Sequence, residues 1–274
     1  LGAPDPRVGP STPPSSISKS PANFEAGRTH WAYQPPKLHP IPTVNKRDWP
    51  FNDIDRFVLA TLEKNKLAPA ADADRYTWLR RVHFDLVGLP PTPAEIDNFI
   101  KDQSPQAFEK IVDKLLASPG FGERWGRHWL DLTSYADTTD IQGDLLALNA
   151  WRYRDYVISS FNRDKPYNQF VTEQLAGDLL PASRDEQRNE RLIATGFLAI
   201  GPYDLVNPDK VKLRMDIVDH EIDKVGQVFL GQTLSCTRCH DHKFDPISQR
   251  EYYALAGIFT STETLVMMSG YGGW

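Results

Sequence analysis

Residues 235–240 read Ser235-Cys236-Thr237-Arg238-Cys239-His240, and they hold both cysteines of the chain. The pattern Cys-x-x-Cys-His is the attachment sequence of c-type haem. Two thiols three positions apart can add to the two vinyl groups of one haem edge. The histidine directly after the second thiol then falls beneath the ring, where its imidazole can bind iron. The expectation is covalently attached haem c, with Cys236 and Cys239 as the attachment residues and His240 as the proximal iron ligand.

Other chemistries use the same residue types. A zinc site needs four ligands, and here Cys236, Cys239, His240 and His242 are crowded into seven residues, whereas a finger separates its ligand pairs by a dozen or so. A thioredoxin-like Cys-x-x-Cys opens a helix after a strand, and no such pattern surrounds this one. A plain disulfide remains open and leaves the adjacent histidine unexplained.

Upstream of the motif, Val218, Ile222, Val225 and Phe229 share one helical face, which would lead the chain into the core and present Cys236 there. Downstream lies Asp241-His242-Lys243-Phe244-Asp245-Pro246. Lys243 or His242 could contact a haem propionate, and Asp241 or Asp245 could orient an imidazole N–H. A charged turn that caps helix ends is the alternative reading of the same residues.

The periodicity is helical from Phe51 onward. Asn52 and Asp53 can cap a helix whose apolar face is Ile54, Phe57, Val58 and Leu62. Tyr76, Leu79, Val82, His83 and Leu86 make a second such face. Thr92-Pro93-Ala94-Glu95 spells a capping box, and Ser104-Pro105 is read as a further helix start. After Ser118-Pro119-Gly120 comes a helix with Trp125, His128, Trp129 and Leu132. Further helical runs cover about 151–161, 166–178, 186–199, 211–233 and 249–260. No alternating strand pattern, internal repeat or phosphate loop is present. The predicted class is all-α: an irregular multi-helix domain over 51–274, built around a covalently bound haem. Residues 1–50 hold eleven of the 22 prolines, a composition that favours extended chain. The aromatic stretch around His30-Trp31-Ala32-Tyr33 is expected to order part of this extension as a strap on the domain surface.

The sixth iron ligand separates electron transfer from catalysis. His128 is placed between Trp125 and Leu132 on what the spacing predicts to be the buried face of its helix, and is the leading distal candidate. Met267 and Met268 follow the motif, as a methionine ligand does in small cytochromes c. His220, flanked by Asp219 and Glu221, is expected to face solvent. If the distal position is open, Arg124, Arg127, His128 and Asp131 are the candidate catalytic residues. Asp131, Asp137, Asp140 and Asp144 form an acidic cluster whose spacing matches no EF-hand loop, so a solvated capping role is favoured.

Net charge is −5, so no basic surface calls for nucleic acid or anionic lipid. No apolar run approaches the ~18 residues of a membrane span. The chain begins at Leu1 rather than methionine, as expected of a processed or trimmed form. Covalent haem attachment takes place outside the cytoplasm, so a periplasmic or otherwise extracytoplasmic location is expected.

Several blocks resemble the cytochrome-like domain that recurs in large exported proteins of planctomycetes. They are His30-Trp31-Ala32-Tyr33-Gln34-Pro35, Arg124-Trp125-Gly126-Arg127-His128-Trp129-Leu130-Asp131, Trp151-Arg152-Tyr153-Arg154-Asp155-Tyr156, Asp164-Lys165-Pro166-Tyr167, Gln174-Leu175-Ala176-Gly177-Asp178, Thr195-Gly196-Phe197 and Cys236 through Pro246. The resemblance covers about residues 30–264. It implies an extracytoplasmic single-haem domain that sits beside other modules of one polypeptide, and it leaves the reaction open. Three functions follow as expectations: a monohaem cytochrome passing single electrons to a redox partner protein or to other domains of the same exported chain; a haem enzyme with an open distal site, peroxidase-like or substrate-oxidising; or a binding module in which haem is a structural staple.

Overall fold

The structure is a computed structural model that describes residues 24–139 and 145–262. Asp140, Asp144, Met267 and Met268 lie outside the described residues, as does the proline-rich stretch 1–23. The described chain is helical apart from one small ladder, in which β1 (Thr138–Thr139) pairs antiparallel with β2 (Leu145–Leu146).

Local signals set the helix starts. After α1 (Phe24–Arg28) and a 3-10 turn at Trp31–Tyr33, the capping box of Asn52 and Asp55 opens α2 (Asp53–Lys64). Asp74 caps α3 (Arg75–Leu86), and the reciprocal Thr92–Glu95 box opens α4 (Pro93–Lys101). Caps of this kind satisfy amides that have no partner in the first helical turn. The start at Ser104 is corrected. Asp102 Oδ1 takes the Ser104 amide at 2.9 Å, and α5 (Ala107–Leu116) begins beyond it without a side-chain cap. Then come α6 (Pro119–Leu132), α7 (Ala150–Asn162), α8 (Tyr167–Ala176), α9 (Asp185–Ala194), α10 (Gly196–Ala199), α11 (Lys210–Val225) and α12 (Gln249–Thr260).

The main core draws on α6 to α12. It packs Trp129, Tyr153, Tyr156, Val157, Phe170, Phe197, Val218, Ile222, Tyr252 and Phe259 together. Burying a side chain of this size stabilises by about 1.5–3 kcal/mol. The polar ends of the rings are satisfied inside. Trp129 Nε1 donates to Gln174 Oε1 at 2.8 Å, and Tyr156 Oη donates to Glu173 Oε2 at 2.9 Å. Glu173 is in turn paired with Lys165, both side chains being almost wholly buried. A smaller core of Leu79, Phe99 and Ala107 joins α3, α4 and α5.

Two apolar faces differ from expectation. On α2, Ile54, Phe57 and Val58 are exposed and Leu59 is the buried residue. On α6 the buried side is Gly122, Gly126 and Trp129, which leaves His128 exposed. The cause is the close approach of α7: a Cβ at Gly122 would lie 2.4 Å from the Ile158 carbonyl oxygen. Glycine therefore sets this face, and the large Trp125 lies toward solvent. His220 is also corrected. It is wedged against Gly201 and Tyr203 rather than solvated, and burial, with the nearby Lys224 charge, lowers its pKa to about 4.

Among the described residues no helix is long and apolar enough to cross a membrane.

Candidate functional site

The Cys-x-x-Cys-His segment is reached from α11 through a π-helical turn, Gly226–Leu230, that ends at Gly231. Gly231 has φ +65°, a left-handed conformation that β-carbon-bearing residues adopt only with strain. The chain reverses there and enters a 3-10 turn, Ser235–Arg238, with the Cys239 amide donating to the Cys236 carbonyl at 3.4 Å. Cys236 lies in this turn and Cys239 caps it, and the i→i+3 bond between them approximates the 3-10 spacing that brings side chains three apart to one side. Both cysteines are free and exposed, and so is His240. The expectation that α11 carries Cys236 into the core is thus overturned: Leu234 and Thr237 are the buried residues of this stretch, and the thiols face out.

Three carboxylates and one guanidinium fix the turn. Asp223, on α11, accepts from the backbone amides of Leu234 at 3.1 Å and Ser235 at 3.3 Å. These amides open the 3-10 turn, so Asp223 acts on it as an N-cap acts on a helix. Arg238 pairs with Asp216 at 3.3 Å and Asp219 at 3.5 Å, also on α11. The Arg238 carbonyl accepts from Tyr253 Oη at 3.0 Å and Gln249 Nε2 at 3.2 Å, both on α12. The motif is therefore clasped between α11 and α12 while its reactive atoms remain open to solvent.

His240 Nδ1 lies 2.7 Å from the Asp241 carbonyl oxygen. A carbonyl can only accept, so Nδ1 carries the hydrogen, and in the neutral ring the Nε2 lone pair is left open for a metal. Asp241 thus orients the imidazole, but through its backbone. Its carboxylate accepts the Gln249 amide at 2.8 Å, at the start of α12. His242 departs from expectation. It is buried, and its Nδ1 accepts from the amides of Asp245 at 2.8 Å and Phe244 at 3.3 Å, so it organises the turn rather than reaching a propionate. That nitrogen has no hydrogen to give the Asp245 carboxylate 3.3 Å away, and the two do not form an ion pair. Lys243 is exposed, with its ammonium 4.8 Å over the Phe244 ring.

The remaining candidates do not gather here. Arg124, Arg127, His128 and Asp131 are on α6, whose packing is with α7, α3 and α5, whereas the motif turn packs on α11 and α12. Arg124 lies against Gly88, and Arg127, His128 and Asp131 are exposed. Asp137 accepts from Tyr135 Oη at 2.7 Å. Among the described residues no three His, Cys, Asp or Glu side chains converge to hold a metal ion. A cavity of about 540 Å³, with Ala150, Tyr153, Ile193, Leu198 and Pro202 in its wall, includes no residue of the motif.

What does reach the motif is the N-terminal strap. Tyr33 Oη donates to Asp245 Oδ1 at 2.9 Å and accepts from Gln232 Nε2 at 2.7 Å. Burial and the Asp245 carboxylate hold the phenol above its ordinary pKa. Large apolar side chains stand exposed on the segments that flank the motif, among them Trp31 on the strap and Phe244, each 80% accessible, and Leu230. Tyr33, Asp223 and Arg238 were missed as site residues. Their partners at the site lie 11 or more residues away in sequence, and of this arrangement the sequence shows only the aromatic strap.

No curated protein and no solved structure gives a significant match to the chain. The family model of PSCyt2, described as a protein of unknown function (DUF1549), matches residues 53–264. The strap precedes that range, and the motif lies within it. Since the match covers most of the chain, the protein belongs to the PSCyt2 family.

Proposed function

We propose that the domain carries one covalently attached haem c at Cys236 and Cys239, with His240 as the proximal ligand, and passes single electrons outside the cytoplasm. The observation that carries this reading is the motif's geometry. Two exposed free thiols stand three residues apart, Cys236 in a 3-10 turn and Cys239 at its C-cap, followed by an imidazole whose Nδ1–H is held by a carbonyl so that Nε2 is open. Haem bound there supplies a one-electron couple.

The protein's own residues have four tasks. Asp223 and Arg238 fix the turn so that the thiols keep their relative placement. The Asp241 carbonyl holds the proximal imidazole in one tautomer. Trp31, Phe244 and Leu230 offer apolar surface that a porphyrin would cover, which accounts for large side chains left in water beside a polar turn. A surface position also leaves an edge within reach of a redox partner protein or of another domain of the same polypeptide. The dispersal of Arg124, Arg127, His128 and Asp131 on α6 weighs against the peroxidase-like reading.

The test is production in a host that attaches haem c, followed by denaturing electrophoresis and acid–acetone extraction. Haem that stays with the polypeptide, and is lost when both Cys236 and Cys239 become alanine, is the expected result. Extractable haem, or a protein that acquires none, refutes the proposal.

A further inference from the structure

Residues 24–34 are held across the flank of the motif by contacts that bury almost nothing of their own. Helix α1 has no buried residue, and Trp31 is 80% accessible. Yet the strap is positioned at several points. Gly27 lies against the Pro246 ring, where a Cβ would come within 2.8 Å. The Tyr33 hydroxyl bonds Gln232, four residues before Cys236, and Asp245, five residues after His240. One phenol thus ties together both ends of the segment that carries the thiols. These contacts close loops of about two hundred residues, and the ordering they require is not repaid by apolar burial. A strap docked in this way, with its largest ring turned outward, is placed for something that binds on top of it.

His30 is the histidine of this strap, and imidazole is a common axial ligand of haem iron. Its ring is exposed, 5.7 Å from the Trp31 ring and 6.3 Å from the Tyr33 ring. Its Nδ1 takes the Ala32 amide at 3.4 Å, a long contact that an exposed imidazole can give up for a coordinate bond. The other histidines are placed differently. His83 is buried beside α4 and α5, His220 is wedged against Tyr203, and His242 is committed to two backbone amides. His128 is on α6, and His39 lies further along the chain, beyond the Tyr33 anchor.

We propose that His30, carried by the strap, would be the second protein ligand of the iron that His240 holds, with Trp31 as apolar cover. This rests on the haem reading above. The strap then does two jobs: Tyr33 locks it to the motif, and His30 closes the distal position against small ligands.

The test uses the holo-protein, with covalent haem first verified on a denaturing gel. Optical and electron paramagnetic resonance spectra of the wild type are expected to show six-coordinate low-spin iron in both redox states. His30→Ala is expected to become high-spin and to bind carbon monoxide when reduced, while His128→Ala and His39→Ala stay low-spin. Tyr33→Phe, which loosens the strap without touching His30, is expected to give a mixture of spin states. Covalent haem that is high-spin in the wild type, or low-spin iron unaffected by His30→Ala, overturns the strap ligand and leaves the attachment reading standing. A protein that attaches no haem overturns both. His30 is exposed and only caps a three-residue turn through one long bond, so its replacement does not threaten the fold.

Discussion

Replacement of Asp223 by alanine isolates what the protein contributes to the motif before any cofactor arrives. The carboxylate accepts two backbone amides, from Leu234 at 3.1 Å and Ser235 at 3.3 Å, and its other oxygen takes the Gln227 side chain. Alanine leaves both amides of the first 3-10 turn without their acceptor. Hydrogen bonds to a charged group contribute about 1.5–3 kcal/mol each when well buried, and a lost cap costs about 0.5–2 kcal/mol. The site is only partly buried and both bonds are long, so about 2 kcal/mol for the pair is the working figure. If the loss is felt as local opening, amide exchange at residues 234–239 accelerates about thirtyfold. If it is felt globally, the melting temperature falls by about 4–8 °C. Asparagine should cost about half as much by the same accounting. Its oxygen can still accept the two amides, but its NH2 then faces the amide of Gln227. Hydrogen exchange followed by mass spectrometry on the cofactor-free protein resolves the two outcomes. Unchanged exchange at 234–239 together with unchanged melting in Asp223→Ala would refute the idea that this carboxylate fixes the turn.

Lys165→Met strips the nearer of two cations from Glu173, whose side chain is 3% exposed and which keeps Arg191 at 3.8 Å, and should destabilise by about 3 kcal/mol in urea unfolding. Adding Glu173→Gln should recover part of that loss, and a double variant no better than the single one would argue against an uncompensated charge. Gly122→Ala drives a Cβ to 2.4 Å from the Ile158 carbonyl, so α6 and α7 must part at a cost of about 1–3 kcal/mol; wild-type stability would contradict the close packing. Lys224 is buried beneath the carbonyls of Phe197 and Ile200, and burial lowers its pKa from 10.5 to about 7. The unfolded chain therefore binds the extra proton between those values, and this group's contribution to stability rises with pH from about 7 to 10.5 and is flat below 7. The stability difference between wild type and Lys224→Met should drift with pH across that window, and a constant difference would show that the ammonium is not depressed.

How much was legible in the sequence depended on how local each signal is. The cap at Asn52 and the box at Thr92–Glu95 are local signals, and both helices start where they say, although Asp55 rather than Asp53 completes the first box. The Cys-x-x-Cys-His spacing is equally local. Which face of a helix is buried is another matter, because it depends on the neighbour. On α6 the aromatic residues Trp125 and Trp129 are four apart and read as one stripe, yet α7 approaches along Gly122 and Gly126 and only Trp129 goes inside. On α2 the apolar stripe is real but stays exposed at Ile54, Phe57 and Val58. The supports of the motif were illegible for the same reason. Asp223 acts 11 and 12 residues away, and Tyr33 acts 199 and 212 residues away. No periodicity encodes such pairs.

Helix α11 joins the two halves of this design. Toward the interior it contributes Val218 and Ile222 to the main core and inserts Lys224 beneath the end of α10. Toward the motif it presents Asp216, Asp219 and Asp223, which hold Arg238 and the amides of Leu234 and Ser235. Backbone rigidity at the turn is therefore borrowed from the core, while Cys236, Cys239 and His240 remain in solvent. In the proposed function that separation matters at two stages. Attachment requires that both thiols be within reach of the incoming haem, and both are exposed. Electron transfer requires that the iron keep its proximal ligand in one orientation in both redox states, and the carbonyl of Asp241, anchored through the bond from the Gln249 amide to its own carboxylate, supplies a fixed acceptor for that imidazole. A motif buried inside the core would gain in packing and lose access; one on a free loop would gain access and lose the orientation. The clasp of α11 and α12 provides both.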